Sequence, residues 1–297
     1  HRCMTAIGVE EVLGAAAEVR RHVAASLGEV ASGEPTAAVL DAATERMARA
    51  FDFRHGGFGA EPKFPHPAAI EFLLARWWDS GEGWMREVVV RTLDGMAAGG
   101  IHDRLGGGFH RYSVDARWVV PHFEKMSGEN AELLLAYLHA FAALGEPGHR
   151  EAAEGIARWA LEVLADREHG GFAASQDADV GPADDGDYFT WTEEEARAAL
   201  TGPEWEAARL HWDIGAEGEM HHDRRRNVLF VSRSAAQVAG ELGVGEAEVR
   251  ALLESAAAGL RAARSRRPAP FVDRAVYVGW NATMSEAFLE AGAILGR

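Results

Sequence analysis

The pattern Asp-x-x-x-Gly-Gly-Phe occurs three times in this chain, at Asp52 to Phe58, Asp103 to Phe109 and Asp166 to Phe172. Paired glycines reach positive φ at no steric cost, and the following Phe can pin the turn to a core. Each copy follows an amphipathic stretch and leads through a polar-aromatic loop into another. The repeat therefore predicts a unit of helix, Gly-Gly-Phe turn, long loop and helix, with the glycines ending the first helix. Units of about 50–60 residues built this way stack into an α/α toroid or solenoid.

Hydrophobic spacing agrees. Ile156, Trp159, Ala160, Val163 and Leu164 share one helical face, as do Leu40, Ala43, Met47 and Phe51. Residues 131–144 are apolar nearly all round and should be buried on most sides. Thr192 with Glu195 forms a capping box at a helix start. Alternating runs are scarce, 227–232 and 275–279 being the best short strands. The expectation is an all-α fold, an (α/α) hairpin toroid with a few short strands in loops, over 1–297 as a single domain.

A net charge of −16 over 297 residues repels phosphate backbones and anionic lipid, which argues against nucleic acid and membrane as partners. The short basic runs Arg224 to Arg226 and Arg264 to Arg267 lack interleaved aromatics and read as solvated faces. Cys3 is the single cysteine, so the chain has no disulfide framework, Cys zinc site or Cys-x-x-Cys pair, and should not reduce disulfides. No 18-residue apolar run or signal pattern occurs, so a cytoplasmic, soluble protein is expected. The ends, His1-Arg2-Cys3 and Leu295-Gly296-Arg297, read as those of a fragment.

Three loops carry the chemistry. Residues 99–130 hold His110, Arg111, Tyr112, Trp118, His122, Glu124 and Lys125, too aromatic for disorder and too long for a plain connector. His110 and His122 are acid/base candidates because imidazole titrates near neutral pH. Residues 175–191 offer Asp177 and Asp179, pointing the same way in extended backbone, with Trp191 and Tyr188 nearby. They suit acid/base work or a cation. The spacing fails as an EF-hand, because Pro182 stands where Gly is needed. Residues 61–67 are stiffened by three prolines, which would aim Lys63 at a central cavity. His221-His222-Asp223 lacks zinc spacing, and no phosphate or dinucleotide fingerprint occurs. No metal and no cofactor is expected.

Gly56-Gly57-Phe58-Gly59 with Pro62 to Pro65, Gly107 to Asp115 with Trp118 and Pro121 to Met126, Gln176 to Asp179 with Tyr188 to Trp191, and Asp273-Arg274 with Trp280-Asn281 together resemble a known family. It is the thioredoxin-domain-containing group related to spermatogenesis-associated protein. Ser127-Gly128-Glu129 replaces its usual Leu-Tyr-Asp, which would loosen a helix start, and Val272 stands where a second Asp is usual.

The resemblance implies a thioredoxin-like domain upstream and, here, the six-hairpin barrel similar to N-acylglucosamine 2-epimerases and glycosidases, with its last hairpins missing. A sugar-like ligand follows. In an epimerase or isomerase His110 and His122 would exchange a proton beside a ring-opened carbonyl; in a glycosidase Glu124 and Asp179 would be the two carboxylates. Lys63, Arg111, Tyr112, Trp118, Lys125, Asp177 and Trp191 would bind substrate. The alternative is a non-catalytic binding or scaffold domain acting with the thioredoxin-like domain. Missing hairpins would also leave a seam between a first helix near Val9 to Leu27 and a last near Met284 to Leu295. Val12, Val19, Val23 and Leu27 would face Phe288, Leu289 and Leu295 across it, and the fragment would self-associate.

Overall fold

The computed structural model describes residues 9–28, 36–182 and 184–296. The chain divides into two compact units, His1–Glu45 and Arg46–Arg297. The first holds α1 (Val9–Gly28) and most of α2 (Ala37–Ala50). Val19 and Val23 of α1 are exposed there, while Cys3 and the side chains of Val12 and Leu27 lie outside the described residues.

The second unit is built from helical hairpins, as the repeat requires. Helices α3 (Pro67–Ser80) and α4 (Gly83–Ala98) form one, and α5 (Ser127–Leu144) and α6 (Pro147–Trp159) the next, α6 running into a single π-turn over Ala160–Leu164. The last helix, α11 (Val278–Leu295), packs on α5, and α5 packs on α3. So α3, α5 and α11 lie side by side in one layer, with α4 and α6 in contact behind them. The all-round apolar α5 sits at the centre of this arrangement, with Leu133, Leu134, Tyr137 and Leu138 fully buried. Helix α11 contributes Met284, Ala287 and Ala291 to the core. Of its three residues expected at an open edge, Phe288 stacks on Phe172 and Leu295 packs on the core, while Leu289 is exposed.

Between α6 and α11 the chain inserts four helices: α7 (Glu193–Ala199), α8 (Gly202–His211), α9 (Ala235–Leu242) and α10 (Glu246–Arg264). They close on Trp191, Trp205, Trp212, Leu253 and Leu260. Thr192 does cap α7, accepting from Glu195 N–H while the Glu195 carboxylate accepts from Thr192 N–H.

Strands are two residues long. β1 (Tyr112–Ser113) pairs with β2 (Pro121–His122), and β5 (Trp191–Thr192) with β6 (Arg226–Asn227). β3 (Lys125–Met126), β4 (Ser175–Gln176) and β7 (Val272–Asp273) form a three-stranded antiparallel sheet. The strand expected at 275–279 is absent, because the backbone from Val278 onward is already helical. The sheet joins the loops after the second and third turns, and a bridge between Lys63 and Ser113 joins those after the first and second.

The Gly-Gly-Phe turns differ from the expected helix caps. The preceding helices stop before the Asp, and the glycines close a small hairpin in which Phe51 bridges Phe58, His102 bridges Phe109 and Ala165 bridges Phe172. Gly107 (φ 82°) shows why glycine is required, since a Cβ would lie 2.1 Å from the Gly155 carbonyl of α6. Gly128 does not loosen α5, which starts at Ser127. It makes room for Trp280, whose ring would be 2.9 Å from a Cβ there. Among the described residues no helix is long and apolar enough to cross a membrane.

Candidate functional site

Each turn is organised by its Asp. One carboxylate oxygen accepts the backbone N–H groups two and three residues on, at Asp52, Asp103 and Asp166 alike. The other oxygen is then available to a cation. Lys63 Nζ reaches Asp52 Oδ2 at 2.6 Å, the Gly56 carbonyl at 3.0 Å and the Ala116 carbonyl at 2.8 Å, above the Trp118 ring. Lys125 Nζ repeats this one unit later, at 2.6 Å from Asp103 Oδ2 and 2.8 Å from the Gly107 carbonyl, above Trp159.

The second turn adds something. Arg264, at the end of α10, grips Asp103 with both terminal nitrogens, Nη1 at 2.8 Å from Oδ1 and Nη2 at 3.0 Å from Oδ2. Beside this triad lies a cavity of about 240 Å³, walled by Trp159 and Tyr188 and edged by Gln176, Arg261 and Ser265. Burial pushes the Asp103 carboxyl up, but Arg264 and Lys125 together hold it well below the usual carboxylate range. Burial also lowers the Lys125 ammonium to about 8; Asp103 opposes the shift and Arg264 adds to it.

Most of the residues expected at one mouth lie outside this cavity, and Arg111, Tyr112, His122 and Glu124 come together at the β1–β2 ribbon instead. His110 is buried edge-on between Phe123 and Phe189, its Nδ1 2.7 Å from the Phe123 carbonyl. A carbonyl only accepts, so Nδ1 carries the proton. Burial, reinforced by the Lys125 charge, keeps the ring neutral. His122 stands opposite Tyr112 on the β1–β2 ribbon, its Nδ1 buried without a hydrogen-bond partner. Glu124 is paired to Arg111 at 3.1 Å. Asp179 accepts from Gly186 N–H, and burial raises its carboxyl, as do Asp184, Asp185 and Asp177. None of His110, His122, Glu124 and Asp179 lines the cavity beside Asp103.

Several binding candidates turn out to be internal. Lys63 does not point into a cavity; it is completely buried in its turn. Trp118, with no exposed surface, donates from Nε1 to the His55 carbonyl. Trp191 is equally buried under the Arg267 guanidinium at 3.9 Å. Tyr112 lies between Phe64 and His122, and Asp177 is exposed, accepting from Ala178 N–H. Lys125 alone of the eleven faces the cavity.

No family model matches the chain. It is 32% identical to human spermatogenesis-associated protein 20 over 92% of this chain and 38% of that one. The rat protein of the same name is 32% identical over 88% and 36% respectively. The chain belongs to the spermatogenesis-associated protein 20 family. It spans little more than a third of the length of these relatives. Solved structures with some likeness include the cellobiose 2-epimerase of Spirochaeta thermophila, with TM-score 0.42, 14% identity and coverage of 88% of this chain and 80% of that one. A sugar epimerase from a ruminal bacterium aligns with TM-score 0.42 and 12% identity over 86% and 79%.

In this family member the motif residues mostly build turns. Asn281 of the fourth motif, for example, accepts from Phe172 N–H and donates to the Phe172 carbonyl. Arg264 was missed because its basic run reads as solvated. Its signal was position: it continues the buried stripe Val249, Leu253, Ala256 and Leu260 of α10, and a charge on an apolar stripe needs a buried partner. Arg267 and Arg226 also depart from a solvated face. Arg267 donates to the Asp187, Tyr188 and Thr190 carbonyls, and Arg226 pairs with Asp187. His222 pairs with Asp187 as well, and Asp223 with Arg225.

Proposed function

We propose that this domain binds a small sugar-like molecule in the cavity beside Asp103, and that it acts as a binding module. The reading rests on the contrast between two equivalent lysines. Lys63 spends all three ammonium protons on Asp52, Gly56 and Ala116. Lys125 spends two, on Asp103 and Gly107, and borders a cavity that has an aromatic wall and polar edges. An aromatic face suits the C–H side of a pyranose, while ammonium, carboxamide and hydroxyl groups suit its oxygens. A sugar is also the ligand class that the family resemblance implied. The module would act together with a thioredoxin-like domain, the partner that the family resemblance implied.

That none of His110, His122, Glu124 and Asp179 lines this cavity favours binding over acid/base turnover by that set within it. Titration calorimetry with a panel of hexoses and disaccharides tests this, alongside proton NMR of the same mixtures for epimerised or hydrolysed product. Saturable binding without turnover, weakened at least tenfold in Lys125→Met, is the expected result. Turnover abolished by His110→Gln or Glu124→Gln, with Lys125→Met silent, would return the site to the loop residues.

A further inference from the structure

The second turn carries more buried positive charge than negative. In the first turn one cation, Lys63, meets one carboxylate, Asp52. In the second, two cations meet one carboxylate, and the side chains of Lys125, Asp103 and Arg264 are only 1%, 4% and 6% exposed. At the rim Arg261 pairs with Glu162, both half-exposed, so the rim is balanced and the interior is not. His110 is neutral and cannot offset the excess, and Arg158 of α6 adds to the positive field at Lys125. A buried charge without a counter-charge is costly, and the cavity is where a counter-charge fits.

We infer that the ligand of this cavity is a sugar acid, whose carboxylate accepts the third ammonium proton of Lys125 and supplies the negative charge that the Lys125–Asp103–Arg264 triad lacks. The inference rests on the binding reading above and narrows its ligand class. The excess inside the triad is a single charge. A carboxylate matches it, whereas a phosphate dianion exceeds it. The half-buried Tyr188 ring then faces the ring carbons, which a free small anion would not use.

Titration calorimetry on the purified chain with glucuronate, galacturonate and mannuronate, each beside its neutral parent hexose, decides it. Acetate and inorganic phosphate are run alone. At least one uronate is expected to bind ten times or more tighter than its parent and than acetate. Its affinity should fall as pH rises through about 8, where Lys125 loses its proton. Lys125→Met, with its fold checked by circular dichroism, should bring uronate down to the level of the neutral sugar. Where that variant fails to fold, proton uptake measured at pH 8 in two buffers of different ionisation enthalpy replaces it. A parent hexose binding as tightly as its uronate would overturn the sugar-acid inference and leave the binding reading standing. Phosphate or acetate binding as tightly as any uronate would overturn the sugar part of both. Silence from every ligand would overturn both together.

Discussion

Lys63 and Lys125 hold the same carboxylate oxygen of successive turns, but Asp103 has a second cation and Asp52 does not. Removing the two ammonium groups should therefore have unequal costs. Lys63→Met leaves Asp52 without its ion pair and the Gly56 and Ala116 carbonyls without that donor, a loss of about 3–5 kcal/mol. Lys125→Met leaves Asp103 in the fork of Arg264, so about 1–3 kcal/mol is expected. Urea unfolding of both variants checks the order. Equal losses would mean that Arg264 does not compensate.

Asn130 and Asn281 each imitate a strand partner. Asn130 accepts from Phe109 N–H at 2.7 Å and donates to the Phe109 carbonyl at 2.9 Å, and Asn281 does the same for Phe172. Asn130 is buried, whereas Asn281 is partly open to solvent. Asn130→Ala should cost about 2–4 kcal/mol, because it strands two buried backbone groups, and Asn281→Ala about 1 kcal/mol. Amide exchange at Phe109 gives a local reading, and an unchanged rate in Asn130→Ala would rule out the pinning role.

The glycines of the repeat are not equally demanding. Gly107 and Gly170 share a φ near 80°, at 82° and 81°. A Cβ on Gly107 would strike the Gly155 carbonyl, but one on Gly170 would meet nothing within 4 Å. Gly170→Ala should thus lose only the backbone term, about 1 kcal/mol. Gly107→Ala adds a backbone clash, for a total of about 3 kcal/mol or more. Thermal melts of the two variants that coincide would contradict this packing account.

These contrasts also show what could be read from residues alone. Helix identity was readable because burial imposes a period, as at Ile156, Trp159 and Leu164, and because Thr192-x-x-Glu195 has one local meaning. The existence of the turns was readable from their glycines. Their partners were not, since Asn130, Asn281 and Arg264 lie 21, 109 and 161 residues from the groups they hold. The loop residues misled for a physical reason. A histidine in a rich loop looks titratable, but burial against Phe123 and Phe189 makes His110 a neutral core side chain. Lysine misled likewise, because the carbonyls that bury Lys63 are backbone groups of Gly56 and Ala116, and a backbone acceptor leaves no mark in residue identity.

His139 gives a pH-dependent outcome. It stands on α5 between Glu71 of α3 and Glu290 of α11, with Nδ1 2.8 Å from Glu71 and Nε2 on Glu290. Only the imidazolium donates to both carboxylates. Glu71 chiefly, and Glu290 after the opposing effect of burial, raise its pKa from 6.5 to about 9. A raised native pKa means that the folded state holds this proton more tightly than the unfolded chain does. The clamp is therefore fully present below pH 6.5, weakens as pH rises, and is lost above 9. The side chains are about a third exposed, so solvent screening reduces the contribution to about 1 kcal/mol. Urea midpoints of the wild type and of His139→Gln should be furthest apart at pH 6 and converge by pH 9.5. A gap that stays constant across that range would show that His139 does not hold a proton between the two glutamates.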